Sequence, residues 1–126
     1  MPSRQDVEAL AAAIEAGRYV EAIQEFYVED ASMRENLGEP RVGRAVLAAG
    51  EQAVMDRYRT ITAERIGPAI VDGDHVASRW RFSFTTRSGA ELALEEVAWQ
   101  RWDGDKVAEE TFFYDPAQMA AVRQGT

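Results

Sequence analysis

The fold is decided by residues 75–116, which read HVASRWRFSFTTRSGAELALEEVAWQRWDGDKVAEETFFYDP. Apolar and polar residues alternate along this stretch, as expected of strands that bury one face. The alternating segments are separated by Ser88-Gly89 and by Asp103-Gly104-Asp105, both typical of hairpin turns. We therefore predict antiparallel strands over residues 75–87, 90–102 and 106–114.

The same alternation extends upstream, where residues 60–71 precede Asp72-Gly73-Asp74 and form a fourth predicted strand. Residues 1–59 instead show apolar residues at helical spacing. They predict helices over 3–16, 19–28 and from about Gly43, with a short edge strand over 31–35. On the third helix we expect Glu51 to lie on the wet side. Pro116 directly after Asp115 predicts a last helix over 116–122.

Composition excludes several classes of chemistry. The 126 residues carry a net charge of -8, which would repel nucleic acid and anionic membranes, so neither is expected as a partner. The chain has no cysteine and one histidine, which rules out thiol nucleophiles and multi-imidazole metal sites within one chain. We expect no metal and no cofactor. The absence of a long apolar run and of a basic, then apolar, N-terminal segment makes a cytoplasmic location the expectation.

Helices followed by a meander of strands predict a single α+β domain over residues 1–126. Its economical packing lays the helices across one face of a curled antiparallel sheet, which makes a cone with one open end. In the strand over 75–87, the face that carries Trp80, Phe82 and Phe84 belongs inside. These rings either fill the core or wall an apolar pocket, and Trp80 is the candidate for the wall.

The last hairpin has two possible registers. A tight turn that pairs Trp102 with Val107 puts Glu95 and Glu110 on one apolar face, where burial would raise their pKa towards a value useful for general acid–base catalysis. The same register places Trp99, Phe112 and Tyr114 on that face, as further pocket walls. A β-bulge would exchange the two faces. Alternatively, the glutamates are solvated or paired across strands with Arg79, Arg81 or Arg101.

The chain resembles the SnoaL-like branch of the nuclear-transport-factor-2-like superfamily, on element order and short blocks at residues 26–31, 40–44, 103–107 and 113–115. The resemblance implies a cone-shaped fold with three N-terminal helices packed on a curled sheet and a short C-terminal helix. It also implies a homodimer paired through the outer sheet face. Relatives with a similar hairpin make Glu96 and Glu110 the other attractive pair.

The resemblance also implies catalytic roles. In SnoaL-like cyclases an aspartate at the end of this strand acts as base, and Asp115 has the matching position, although it equally suits a helix cap. Tyr27 could supply the hydroxyl that ketosteroid isomerases use. The implied function is a cofactor-independent isomerase, cyclase or lyase that moves a proton on a small apolar carbonyl compound. The alternative is a non-catalytic ligand-binding or dimerisation module of the same fold.

Overall fold

The structure, a computed structural model, describes residues 1–118 and residue 120. Its main elements follow in this order: α1 (Arg4–Glu15), α2 (Tyr19–Phe26), β1 (Tyr27–Glu35), β2 (Arg41–Val42), α3 (Arg44–Arg57), β3 (Thr60–Arg65), β4 (Ile70–Asp72), β5 (His75–Thr85), β6 (Glu91–Asp103) and β7 (Lys106–Phe113). The predicted α+β class is confirmed.

All seven strands form one sheet in the order β2-β1-β7-β6-β5-β3, with β4 paired to β5 beyond the end of β3. Every pairing is antiparallel except that of β1 with β7. The sheet curls around the helices without closing, which gives the predicted cone. Its inner face and the helices share one main core, at whose base Trp102 and Val107 are fully buried.

The first helix begins and ends as predicted. The Ser3 hydroxyl accepts a hydrogen bond from the Asp6 backbone N–H, and the Asp6 carboxylate accepts one from Ser3 N–H, so a capping box closes the N-terminus. Val7 and Leu10 on its apolar face are buried in the core. In α1, therefore, the capping residues and the helical spacing of the apolar residues predict the same helix that packs in the core.

The second helix ends two residues earlier than predicted, and the following strand is longer. Tyr27 already pairs with Val107 of β7, so β1 runs from Tyr27 to Glu35 instead of over 31–35. The strand is not at the edge of the sheet either, because β2 covers its other side. Parallel pairing with a strand 80 residues away overrides the local helical pattern, a competition that apolar spacing does not reveal.

The predicted strand over 60–71 is two strands. Between β3 and β4 the chain passes through Gly67, which has a φ of +77°, and Pro68, which lacks a backbone donor. The two pieces pair with different parts of β5, β3 with residues 80–85 and β4 with residues 75–77. The break lets the sheet edge follow the curl.

The chain beyond β7 is described in part. Residues 116–118 are helical, and the Asp115 carboxylate accepts a hydrogen bond from the Ala117 backbone N–H, as a cap does. Residues 119, 121 and 122 of the predicted last helix lie outside the described residues. Among the described helices, none has the length and apolar character to cross a membrane.

Candidate functional site

A cavity of about 190 Å³ lies between the helices and the inner face of the sheet. Its wall is mostly apolar, and four glutamates interrupt it. The lining residues are Ile14, Tyr19, Ala22, Ile23, Tyr27, Met33, Glu35, Glu51, Val54, Ile61, Trp80, Phe82, Phe84, Leu94, Glu96, Ala98, Glu110 and Phe112. An apolar cavity with a few converging polar groups is the usual form of a small-molecule site.

A β-bulge in the last hairpin decides which glutamates face this cavity. Trp102 pairs with Val107, but Arg101 pairs with Glu109, so Ala108 is an additional residue in β7. Beyond the bulge Gln100 pairs with Glu110. The register without a bulge, which grouped Glu95 with Glu110, is therefore wrong.

With the bulge, Glu96 and Glu110 both line the cavity, the pairing that the family resemblance suggested. Glu95 faces the other way and bridges Arg79 and Arg81. The hydrogen bond from Arg79, followed by that from Arg81, lowers the pKa of Glu95 instead of raising it. For Glu95 the alternative of cross-strand pairing is the right one.

The Glu110 carboxylate is held by two donors from the protein. The Tyr27 hydroxyl donates to Oε1, and Gln100 Nε2 donates to Oε2 at 2.7 Å. The orientation of the Gln100 amide is fixed in turn by Trp102, whose Nε1–H donates to Gln100 Oε1 at 2.9 Å. Glu110 is only 3% exposed, so this relay lies within the core.

Burial shifts the ionisation of this group towards neutral pH. It raises the pKa of Glu110 to about 7, although the hydrogen bonds from Tyr27 and Gln100 favour the charged form and oppose the shift. Burial also raises the pKa of the Tyr27 phenol well above its usual value, and the Glu110 charge adds to this, so Tyr27 stays a neutral donor. A carboxyl that titrates near 7 exchanges protons readily at physiological pH.

Glu96 is the second perturbed carboxyl of the cavity. Burial raises its pKa to about 8, and the nearby charge of Glu110 raises it further. Its side chain makes no hydrogen bond or ion pair with any residue that the structure describes. Burial thus favours the protonated form of both carboxyls, and the charge of Glu110 favours it further for Glu96.

Two further glutamates of the cavity were not expected. Glu51 was expected on the solvent-exposed side of α3, but α3 packs against α2 and β1, and Glu51 lines the cavity, where burial raises its pKa. Glu35, at the end of β1, also lines the cavity and forms an ion pair with Arg41 at 2.6 Å. Helical periodicity could not show this, because it distinguishes the apolar face of a helix from the polar face, and here the polar face meets a cavity.

The other sequence candidates divide between the cavity and its surroundings. Trp80 and Phe112 line the cavity as expected. Trp99 does not: the bulge turns it to the outer face, where it is 46% exposed beside His75. Tyr114 does not line the cavity but packs with Tyr58, Phe84 and Leu94, and Asp115 is an exposed cap residue. Within residues 1–118 and 120, no three His, Cys, Asp or Glu side chains form a metal-binding group.

The Tyr27 hydrogen bond can be tested by titration. Tyr27→Phe removes a donor that favours ionised Glu110, so we expect the pKa of Glu110 to rise above about 7. The measurement is a carboxyl ¹³C NMR titration of the variant beside the wild type. Tyr19→Phe is the matched control, since the Tyr19 hydroxyl donates to the Ile61 carbonyl and not to a carboxylate. An unchanged or lower Glu110 value would contradict the assigned role.

Solved structures share this architecture at low sequence identity. A candidate SnoaL-like polyketide cyclase from Mesorhizobium loti is 22% identical, with a TM-score of 0.74 over 90% of this chain and 100% of that one. A protein of unknown function with a cystatin-like fold from Xanthomonas campestris is 21% identical, with a TM-score of 0.80 over 96% of this chain and 97% of that one.

A third similar structure contains a small molecule. It is a hypothetical protein with a ketosteroid isomerase-like fold from Catenulispora acidiphila, solved in complex with trimethylamine. It is 18% identical to this chain, with a TM-score of 0.76 over 92% of this chain and 89% of that one. These three likenesses show the fold alone.

The curated proteins offer no significant match to the sequence. The sequence profile of the SnoaL-like domain, in contrast, matches residues 7–110. This range begins within α1, includes α2 to β6 and ends in β7 at Glu110. The chain therefore belongs to the SnoaL-like domain family.

Proposed function

We propose that the cavity binds a small, mostly apolar carbonyl compound and that Glu110 moves a proton on it. The observation that carries this proposal is the Glu110 carboxylate itself. It lines an apolar cavity, is held by Tyr27 and Gln100, and titrates near 7 because it is buried. A general base works best when its pKa lies near the working pH.

The geometry leaves room for the reaction. A carboxylate offers about four acceptor positions, and the protein uses two of them, so Glu110 can still accept a proton from a ligand. The hydrogen-bonded neighbours fix the carboxylate in place, which reduces reorganisation during proton transfer. The mostly apolar wall favours a ligand with few polar groups.

The proposed step assigns separate roles to the two glutamates. Glu110 takes a proton from the carbon next to the carbonyl, and the C–H electron pair moves to form the enol double bond. The carbonyl π electrons move to oxygen, which protonated Glu96 stabilises by donating its proton or a hydrogen bond. If the ligand is a β,γ-unsaturated ketone, return of the proton from Glu110 to the γ-carbon, with the carbonyl re-formed and the oxygen-bound proton returned to Glu96, completes an isomerisation. If the ligand carries a second carbonyl, attack of the enol carbon on it forms the new C–C bond; its oxygen takes the proton from Glu110, the first carbonyl re-forms and Glu96 regains its proton, which completes a cyclisation.

The test is hydrogen exchange at carbon. Wild type in D₂O, given cyclohexanone as probe, is expected to accelerate loss of the α-proton signals in ¹H NMR. Glu110→Gln is expected to reduce this acceleration by about 10²–10⁴-fold. Glu109→Gln is the control, because Glu109 is the adjacent residue but pairs with Arg101 on the outer face. If the rate of exchange falls equally in both variants, or does not fall in Glu110→Gln, Glu110 is not the base.

A second candidate is ligand binding without turnover. The observation that favours it is that both oxygens of Glu110 already accept hydrogen bonds from the protein, as those of a structural carboxylate do. The Catenulispora relative, with its bound trimethylamine, supports small-molecule binding by this fold. Saturable binding of cyclohexanone without any exchange would select this function over the first.

We also propose that the chain forms a homodimer through the outer face of its sheet. Ile70, Val97, Trp99 and Phe113 are exposed apolar residues on this face, surrounded by charged side chains. Apolar patches with a polar rim often mark interfaces.

Trp99→Lys is expected to convert the dimer to a monomer in size-exclusion chromatography with light scattering. The control Val46→Lys also replaces an exposed apolar residue with lysine, but this residue is on α3, and the variant should remain a dimer. A wild type that is monomeric at high concentration would contradict the proposal.

A further inference from the structure

The cavity carries charge of one sign only. Of the described residues that line it, the ionisable ones besides two tyrosines are Glu35, Glu51, Glu96 and Glu110, and none is Lys, Arg or His. The cation that acts on Glu51 is Arg41, which is already paired with Glu35. A ligand with a carboxylate or a phosphate would therefore meet repulsion with no countercharge in the wall.

Two of these carboxyls lack partners within the protein. Glu51 and Glu96 make no hydrogen bond or ion pair with any residue that the structure describes, although both line the cavity. Both side chains are half-buried in the cavity wall, so a ligand in the cavity can reach their carboxyl oxygens and supply the partner that the protein does not. Glu96 and Glu110 line the cavity from the sheet, whereas Glu51 lines it from α3, one helical turn before Val54, which is 37% exposed and marks the opening to solvent.

Six aromatic rings supply much of the apolar wall. Trp80, Phe82 and Phe84 come from one face of β5, and the other rings are Tyr19, Tyr27 and Phe112. The faces of aromatic rings attract cations, and sites that combine such rings with carboxylates suit ammonium groups whose surface is mostly apolar. A purely neutral ligand would use the rings but leave the Glu51 carboxylate without a countercharge.

We propose that the compound bound in this cavity carries a positively charged nitrogen, held at the opening between Glu51 and the aromatic rings. This inference adds the charged end of the ligand, and it rests on the proposed function for the carbonyl end. The substrate class becomes an amino ketone or a ketone with a quaternary ammonium group. Its carbonyl group points inward to Glu96 and Glu110.

Such binding depends on pH with a defined sign. A cation favours ionised Glu51, so affinity rises as pH rises, and protons are released on binding. The groups that bear on Glu51 come from five elements: Tyr19 of α2, Tyr27 and Glu35 of β1, Arg41 of β2, Glu96 of β6 and Glu110 of β7. Ionisation of Glu96 and Glu110 between about pH 6 and 9 adds further negative charge, which strengthens the same trend.

The test compares choline with 3,3-dimethylbutan-1-ol, which has the same shape with carbon in place of the charged nitrogen. Both are titrated into the full chain by calorimetry or NMR at pH 6.0 and 8.5. We expect choline to bind at least tenfold more tightly than the neutral alcohol at pH 8.5, with a smaller preference at pH 6.0. Glu51→Gln is expected to remove most of the preference. Asp56→Asn, an exposed change on the same helix, should keep it.

The outcomes separate the two proposals. Equal binding of both probes, tighter binding of the alcohol, no binding of either, or a preference that survives in Glu51→Gln would each overturn the cation proposal. A choline preference that disappears in Glu51→Gln, together with no α-proton exchange, would keep the cation proposal and overturn only proton transfer. Circular dichroism of each variant verifies that it is folded.

Discussion

Glu96→Gln is expected to stabilise the folded protein by about 1–3 kcal/mol at pH 8 and to leave its stability nearly unchanged at pH 5. The pKa of Glu96 is about 8 in the folded chain, whereas an ordinary carboxyl titrates near 4.5. Each unit of difference corresponds to about 1.4 kcal/mol. We expect less than the full shift because the cavity is open to solvent at one end. Glutamine fills the same space without a charge to desolvate.

The sign follows from proton linkage. Between about pH 4.5 and 8 the unfolded chain has released the Glu96 proton and the folded chain has kept it, so the folded state binds more protons. Stability conferred by Glu96 is therefore present at low pH and is lost as pH rises towards 8. Glu110, with its pKa of about 7, contributes in the same direction up to about pH 7.

Urea denaturation from pH 5 to 8.5 measures this effect, and Glu95→Gln is the matched control. Glu95 is the adjacent residue of β6, but it faces outward, pairs with Arg79 and Arg81, and has a lowered pKa. Its contribution has the opposite sign, present above about pH 4.5 and lost in acid. A Glu96→Gln variant that is less stable than wild type at pH 8 would contradict the burial of this carboxyl.

Trp102→Ala is expected to destabilise the protein by about 3–5 kcal/mol, the usual cost of removing a large aromatic core side chain. Trp102 is 1% exposed and packs at the base of the main core with Val76 and Val107. Thermal or urea unfolding measures the loss. Leu37→Ala is the control, and we expect a much smaller cost because Leu37 is 81% exposed.

Trp102→Phe separates the packing role of the ring from its hydrogen bond. Phenylalanine keeps most of the apolar contact but cannot donate to Gln100 Oε1, which leaves a buried acceptor unsatisfied at a cost of about 1–3 kcal/mol. Without this donor the Gln100 amide loses its fixed orientation. We therefore expect the pKa of Glu110 to rise in the same variant. A Glu110 titration identical to wild type would contradict the relay.

Much of the fold could be predicted because local and global preferences agree in most elements. In α1 the capping residues, and in β5 the alternation of apolar residues, favour locally the same structure that the tertiary packing requires. The exceptions arise where pairing with a distant strand determines the bounds of an element. Tyr27 reads as part of a helix until β7 is available to pair with it, and the break at Gly67 depends on how the sheet edge curls.

The candidate site was only partly predictable. The inward positions of Glu110 and Trp80 follow from alternation on a buried face. Whether Glu95 or Glu96 faces inward depended on one bulge, and no residue type in the hairpin predicts it. Glu51 and Gln100 carried no sequence signal. A glutamate on the polar face of a helix and a glutamine in a strand are ordinary, and only the tertiary structure shows that both meet the cavity or its buried carboxylate.

The additional residue Ala108 also affects how this chain is aligned with its relatives. Val107 and Glu110 both point inward although they are three positions apart, an odd number that a regular strand does not allow. In a relative without the extra residue, the inward carboxylate would come two positions after the equivalent of Val107. An alignment near 20% identity that omits a one-residue gap here would therefore equate Glu109, an outward residue paired with Arg101, with that relative's functional carboxylate.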